Sequence, residues 1–274
     1  VMQPPLAALT GTDVEYREGL HLRETPLWFD SPEPRELSFI SAATIPGAHR
    51  HAKIISTSQT AELLHALGAA HGRGRRVHEA QTLVTPYGRR FSLGALSLEL
   101  FPSGFALGAA SLLVERGGRR LVYAGHINTR RHPLAERLEA RRCDVLVLPC
   151  PPGTPGRLAL PPEDEVEGAL CAFVEDAFDE RRVPVLFCPP LSAAPRVAHL
   201  LASHGVAMRL HRSIFAALRV YQRAGTGLDL SRIRRYRGAL DAARRPEVLL
   251  WPLALRRSPA ITRLSRARLA VVSE

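Results

Sequence analysis

Histidine and arginine are the residues of this 274-residue chain whose spacing could do chemistry. His49 and His51 lie two apart in GAHRHAK, and His126 follows the strand-like YAG. If those three converged they could hold a single metal ion, because a neutral imidazole is a good zinc donor. His211, in RLHRSI, stands between a strand-like and a helix-like segment, where α/β folds usually hold ligands. His21, His65, His71, His78, His132, His199 and His204 show no paired metal spacing and read as ordinary surface residues. Cys143, Cys150, Cys171 and Cys188 form no CxxC pair, so they read as buried reduced thiols.

The arginines cluster on turns. Gly72 to Arg76 reads GRGRR, and Tyr87-Gly88-Arg89-Arg90 and Thr129-Arg130-Arg131 repeat the pattern. An arginine on a turn can grip a phosphate through two parallel hydrogen bonds, and a solvated charged loop has the same composition. SRIRRYR, Ser231 to Arg237, interleaves a tyrosine with arginines, which suits base stacking plus phosphate contact and equally suits a basic helix face. Net charge is +11, and Lys53 is the only lysine. The balance favours an acidic partner, nucleic acid first. No apolar run has the length of a membrane span, and VMQPPLAALTGTD does not read as a signal segment, so the expectation is a cytoplasmic protein without a membrane partner.

Two kinds of element must position these side chains. The first half alternates apolar with polar in GLHLRE, PLWFD, LSFIS, AKIIST, ALSLELF, ASLLVER and RRLVYAG, a series of short strands. Gly117-Gly118 predicts a hairpin between the last two. One helix is predicted over 58–67, capped by Ser58, with Ala61, Leu64 and Leu67 on one face. From His132 the pattern turns to alternating helix and strand, with HPLAERLEARR helical, CDVLVLPC a buried strand and 163–182 a long helix. VPVLFCP, AAPRVAHLLASHG, VAMRLH and RSIFAALRVYQRAG continue the alternation, which predicts parallel strands.

Several of these segments, in this order, resemble one family. WFD, LSFISAATIPGAHRHAKIISTSQTAELL, LELFPSGFALGAASLLVERGGRRLVYAGHINTRR and CDVLVLPC are similar to the metallo-β-lactamase fold. More narrowly they resemble the β-CASP-type nucleases, especially the bacterial ligase-associated DNA exonucleases and messenger-RNA 3′-end processing factors. VPVLFCPPLSAAPRVAHLLASHGVAMRLHRSIFAAL extends the resemblance over most of the chain. It implies an α/β protein: an αββα metallo-β-lactamase-like sandwich over 1–150, an inserted Rossmann-type β-CASP-like subdomain over 151–245, and strands over 246–274 that return to the first domain.

The same resemblance implies two zinc ions, a bridging water and phosphodiester hydrolysis. The ligand set it implies is an HxHxDH turn, a histidine in a PxGHxxGS turn and an aspartate closing a YxGD strand. At those positions stand Ala42, Thr44, Pro46 and Gly47, then Phe105, then His126. Pro149 replaces a glutamate of the nuclease branch, and Ser192-Ala193 replaces a Gly-Lys turn. Gly104, Gly108 and Gly125 around the lost ligands remain. The family pattern continues into a Gly-Trp segment and an SDHxD-like motif, while this sequence closes at ARLAVVSE.

Ala, Thr, Pro, Gly and Phe side chains supply no zinc ligation. The expectation is a catalytically silent homologue with no catalytic residue, no metal and no cofactor. Its partners would be DNA or RNA, through Arg89, Arg90, Arg130, Arg131, Ser192, His211 and Arg212, or a DNA ligase, helicase or active nuclease. His126 is expected to serve structurally, through hydrogen bonds. Phe105 is expected to turn inward near Ala42 and His126, where burying its ring contributes roughly 1.5 to 3 kcal/mol. The alternatives are a hydrolase rebuilt around His126, His49 and His51, and a purely structural module.

Overall fold

The computed structural model describes residues 13–70, 82–150, 161–238 and 246–272. GRGRR, His71, His78 and most of the Pro/Gly-rich stretch after Cys150 lie outside the described residues. The chain is mixed α/β and divides into two compact units, Val1–Cys150 and Pro151–Glu274.

In the first unit, β1 (Val14–Tyr16), β2 (Leu20–Leu22), β3 (Leu27–Phe29), β4 (Leu37–Phe39), β5 (Lys53–Ser56) and β6 (Thr82–Val84) form one sheet in chain order. The pairs are antiparallel up to β3 and parallel from β3 onward. The second sheet has the order β11-β10-β9-β8-β7, built from β7 (Arg90–Leu93), β8 (Leu96–Pro102), β9 (Ala110–Arg116), β10 (Arg119–Tyr123) and β11 (Val145–Val147). β9 and β10 pair antiparallel across Gly117-Gly118, both at positive φ, the hairpin that the sequence predicts.

Alternation decides the packing of these strands. Leu98 and Leu100 of β8, Ala110, Leu112 and Val114 of β9, and Leu121 and Tyr123 of β10 join Leu22, Leu27, Phe29, Phe39 and Ile55 of the other sheet in one core. The opposite faces of the same strands present Phe101, Leu113 and Val122 to Cys143.

Residues 132–142 are not the helix that HPLAERLEARR predicts. Their backbone donors are committed elsewhere, since Leu134 N–H bonds to His132 Nδ1 at 3.1 Å and Glu139 N–H to Pro102 O at 3.0 Å. Arg141 lies over the Phe101 ring, so the segment covers the sheet as an irregular strap. β11 is an edge strand with Leu146 exposed, not the buried strand that CDVLVLPC predicts. Helix α1 (Ser58–Ala70) starts with Thr57 as the capping side chain, its Oγ1 accepting from Thr60 N–H at 3.2 Å; Ser58 does not cap it. The buried stripe is Thr60, Leu63 and Leu64, so of the predicted face only Leu64 is buried, and Thr60 and Leu63 stand where Ala61 and Leu67 were expected.

The second unit holds α2 (Glu163–Asp179), β12 (Val183–Phe187), α3 (Ala193–Ser203), β13 (Met208–Leu210), α4 (Arg212–Arg223), β14 (Ile233–Arg235), β15 (Val248–Trp251), α5 (Pro259–Thr262) and β16 (Ala267–Val271). Its strands run in the order β14-β13-β15-β12-β16, and every pairing is parallel. The expectation that 246–274 returns to the first domain is therefore corrected: β15 sits between β13 and β12, and β16 pairs with the far side of β12. VLLW is buried at all four positions, and such a strand needs parallel neighbours on both sides. SRIRRYR supplies strand β14, so it is not a helix face.

Candidate functional site

Around Ala42 and Phe105, positions that the resemblance assigns to metal ligands, the first unit has a small cluster held by a polar frame. Asp30, directly after β3, accepts from Ser41 N–H at 2.7 Å, from the Ser41 hydroxyl, and from the Tyr123 hydroxyl at 2.9 Å. Desolvation pushes the Asp30 carboxyl above its usual pKa, while the bonds from Ser41 and Tyr123 and the nearby His126 pull the other way. Ala110 N–H donates to Ser41 O at 2.7 Å, tying the ends of the two sheets together. Gly125 has φ 62°, and a Cβ there would stand 2.5 Å from Ser41 Cβ, so only glycine lets the end of β10 approach this turn.

The turn over 102–109 is fixed from several sides. Gly108 O accepts from Thr57 Oγ1 at 2.6 Å and Thr60 Oγ1 at 2.9 Å, and Gly108 N–H reaches Glu136 at 3.2 Å. The Tyr87 hydroxyl donates to Ala109 O at 3.0 Å. Gly108 itself has φ 73°, with no room for a Cβ beside Gln59. Within this frame Phe105 is half-buried against Ala42, Ala106 and Ala109, and its ring centroid is 5.0 Å from that of His126. It turns inward next to the two residues that the sequence names for it.

The positions that the resemblance assigns to ligands do not fit zinc. Ala42 is buried, Thr44 is half-buried with no hydrogen-bond partner for its hydroxyl, Pro46 is exposed, and Gly47 turns the chain at φ 76°. His126 is exposed and leans on Phe105; it makes no hydrogen bond to the described residues, contrary to the structural role expected of it. His49 is exposed, whereas His51 is buried and accepts from Arg35 N–H through Nδ1 at 3.1 Å, with burial holding its pKa below the usual histidine range. Among the described residues no three His, Cys, Asp or Glu side chains are grouped to hold a metal ion. The alternative site of His49, His51 and His126 is therefore not assembled.

The predicted phosphate-contacting residues divide in the same way. Arg89, Arg130 and Arg131 are exposed, and their side chains have no partner among the described residues. Arg90 is tied to Glu99 at 3.2 Å and to Glu115 at 3.1 Å, so it braces the second sheet of the first unit across β7, β8 and β9. Ser192 is buried before α3. His211 is buried and caps α4, Nδ1 accepting from Ser213 N–H at 3.2 Å. Arg212, next in sequence, is exposed.

The carboxyl ends of the parallel strands carry an aromatic cluster that sequence reasoning missed. The His211 ring meets Trp251 edge-on at 4.6 Å, and Tyr236 meets Trp251 at 5.3 Å. Tyr236 therefore packs inward, and the arginines around it in SRIRRYR are left at the surface. Beside them runs a groove of about 470 Å³ lined by Arg209, Phe215, Ile233, Arg234, Arg235 and Arg237. Asp30 was also missed; its one signal is an aspartate closing a strongly apolar strand, PLWFD.

Fold and site together define a mixed α/β protein of two units, one with two sheets around a shared core and one with a parallel sheet. No family model matches the chain. A protein of Opitutus terrae named a probable DNA ligase is 27% identical over 263 residues, which cover 95% of this chain and 24% of that protein. The chain thus spans about a quarter of that relative's length. Among the described residues no helix is long and apolar enough to cross a membrane.

Proposed function

We propose that this chain is a metallo-β-lactamase-fold relative of DNA- and RNA-processing nucleases that has lost phosphodiester hydrolysis and acts in DNA processing as a nucleic-acid-binding subunit. The observation that carries the proposal is Phe105, an apolar ring packed on Ala42 where the resembled turn places a histidine. A metal-bound water needs several inward donors at about 2 Å from the ion, and this turn offers an aromatic ring and methyl groups. The glycines and the Asp30 frame that shape the turn are still present, which fits a scaffold retained for binding.

Two further facts support the DNA-facing part. The relative from Opitutus terrae carries the name of a DNA-joining enzyme, and this chain's net charge is +11, nearly all of the positive charge being arginine. A DNA ligase, a helicase or an active nuclease is the class of protein partner that such a subunit would serve. The test joins metal analysis of the purified protein with assays on single- and double-stranded DNA and RNA. The expected outcome is no stoichiometric zinc, no metal-dependent cleavage, and binding that weakens steeply with salt. Metal-dependent cleavage abolished by a substitution at His126 would overturn catalytic silence. Absent or salt-insensitive binding would overturn the nucleic-acid role and leave a protein-interaction role.

A further inference from the structure

We propose that the groove along β14 is a binding site for single-stranded nucleic acid, with Arg234, Arg235 and Arg237 on the phosphates and Phe215 beneath a base. The proposal rests on the reading that this chain binds nucleic acid and gives that activity a location in the second unit.

Strand pairing creates the charge at this groove. β14 is the edge strand, and its register on β13 sets Arg234 directly beside Arg209. Like charges side by side on neighbouring strands oppose folding. Arg209 is compensated by Glu247, 2.9 Å from its Nε. Arg234, Arg235 and Arg237 are exposed, and none has a carboxylate partner among the described residues. Three uncompensated guanidiniums around one concavity attract an anion with several charges, and each can take a phosphate through two hydrogen bonds.

The shape narrows the class of anion. A groove of about 470 Å³ falls within the roughly 300–1,000 Å³ of clefts that enclose small ligands, so it takes one or two nucleotides and excludes the breadth of a duplex. Phe215, half-buried on α4, and Ile233 give the lining apolar area between the guanidiniums. A cationic groove interleaved with an aromatic platform is the arrangement that holds single strands without reading sequence. Tyr236 faces away onto Trp251, which leaves stacking in the groove to Phe215.

Fluorescence anisotropy with a labelled oligo-dT of about ten nucleotides tests the site in the full chain. The triple variant Arg234→Glu/Arg235→Glu/Arg237→Glu should weaken binding by roughly tenfold or more at low salt and flatten the salt dependence. Phe215→Leu, which keeps an apolar side chain on α4, should weaken binding roughly tenfold while leaving the salt slope unchanged. Thermal melts of both variants should match the parent. Wild-type binding that survives both variants and is lost in Arg89→Glu/Arg130→Glu/Arg131→Glu overturns the groove and leaves the nucleic-acid reading standing. No wild-type binding to any oligonucleotide overturns both. Retained binding with new self-association of the triple variant also overturns the groove, assigning the arginines to guarding an exposed strand edge. Stronger capture by anionic vesicles than by oligo-dT overturns it in favour of a lipid surface.

Discussion

The turn cluster of the first unit and the edge groove of the second treat polar groups in opposite ways. Around Phe105 a frame of polar groups is paired internally: Asp30, Ser41, Tyr123, Thr57, Thr60 and Glu136 bond to one another or to the backbone, with the Thr44 and Ser103 hydroxyls left without a partner, and the contact surface is ring and methyl. Along the β14 edge Arg234, Arg235 and Arg237 are exposed with no carboxylate partner among the described residues, while Arg209 on neighbouring β13 is paired with Glu247. The first arrangement lowers the energy of the folded state, and the second gives up some of that energy. A turn whose shaping hydrogen bonds run through backbone and neighbouring side chains can carry an apolar ring at its centre without loss of fold. Charge left unpaired needs a reason outside the folded chain.

The sharpest way to break this contrast is at Asp30. Asp30→Ala strands the Ser41 amide and the Tyr123 hydroxyl and should cost roughly 3 kcal/mol or more in urea unfolding, with loss of cooperativity as a stronger outcome. Asp30→Asn should cost much less and should change the pH profile. The wild-type carboxyl has its pKa raised above 3.8 by desolvation, so its stabilising contribution is complete below that value and is lost as pH rises through the folded value. The asparagine variant should lack that decline. A flat wild-type profile would mean that Asp30 is not desolvated.

Gly125→Ala comes next. It places a methyl on Ser41 and forces a positive φ on alanine, at roughly 2 kcal/mol, measurable by thermal melting. Phe105→Ala should cost roughly 1 to 2 kcal/mol, because the ring is only half-buried; a stabilised variant would show that Phe105 is strained rather than filling space. The smallest effect on stability belongs to the groove. Arg234→Ala should shift unfolding by less than about 0.5 kcal/mol, in the stabilising direction, since it relieves the repulsion from Arg209. A clear destabilisation there would place Arg234 in the structural class of Arg90.

Much of this was legible along the chain. The alternating strands and the Gly117-Gly118 hairpin follow from local pattern, because each depends on residues a few positions apart, whereas the inward Phe105 was expected from the family resemblance. The irregular 132–142 strap was not, since its helical periodicity is overridden by bonds to His132 and Pro102. The position of β15 and β16 was hidden for a different reason. An apolar strand such as VLLW fits the middle of any sheet, and only the order of crossovers decides which. The groove needed the same information, because Arg209 and Arg234 are neighbours through strand register alone. Asp30 looks like a surface turn residue until Tyr123 is brought to it.

That last bond carries a consequence for how the chain folds. Asp30 and Tyr123 are 93 residues apart in sequence, and Thr57 reaches Gly108 across 51. Contacts of such separation pay their loop-closure entropy before they return any energy, which places them late on the folding pathway and makes assembly of the first unit slow. The neighbouring β8-β9 and β9-β10 hairpins close over short spans and can form early. The turn cluster around Phe105 is therefore a keystone set last: it locks an arch that the hairpins have already raised.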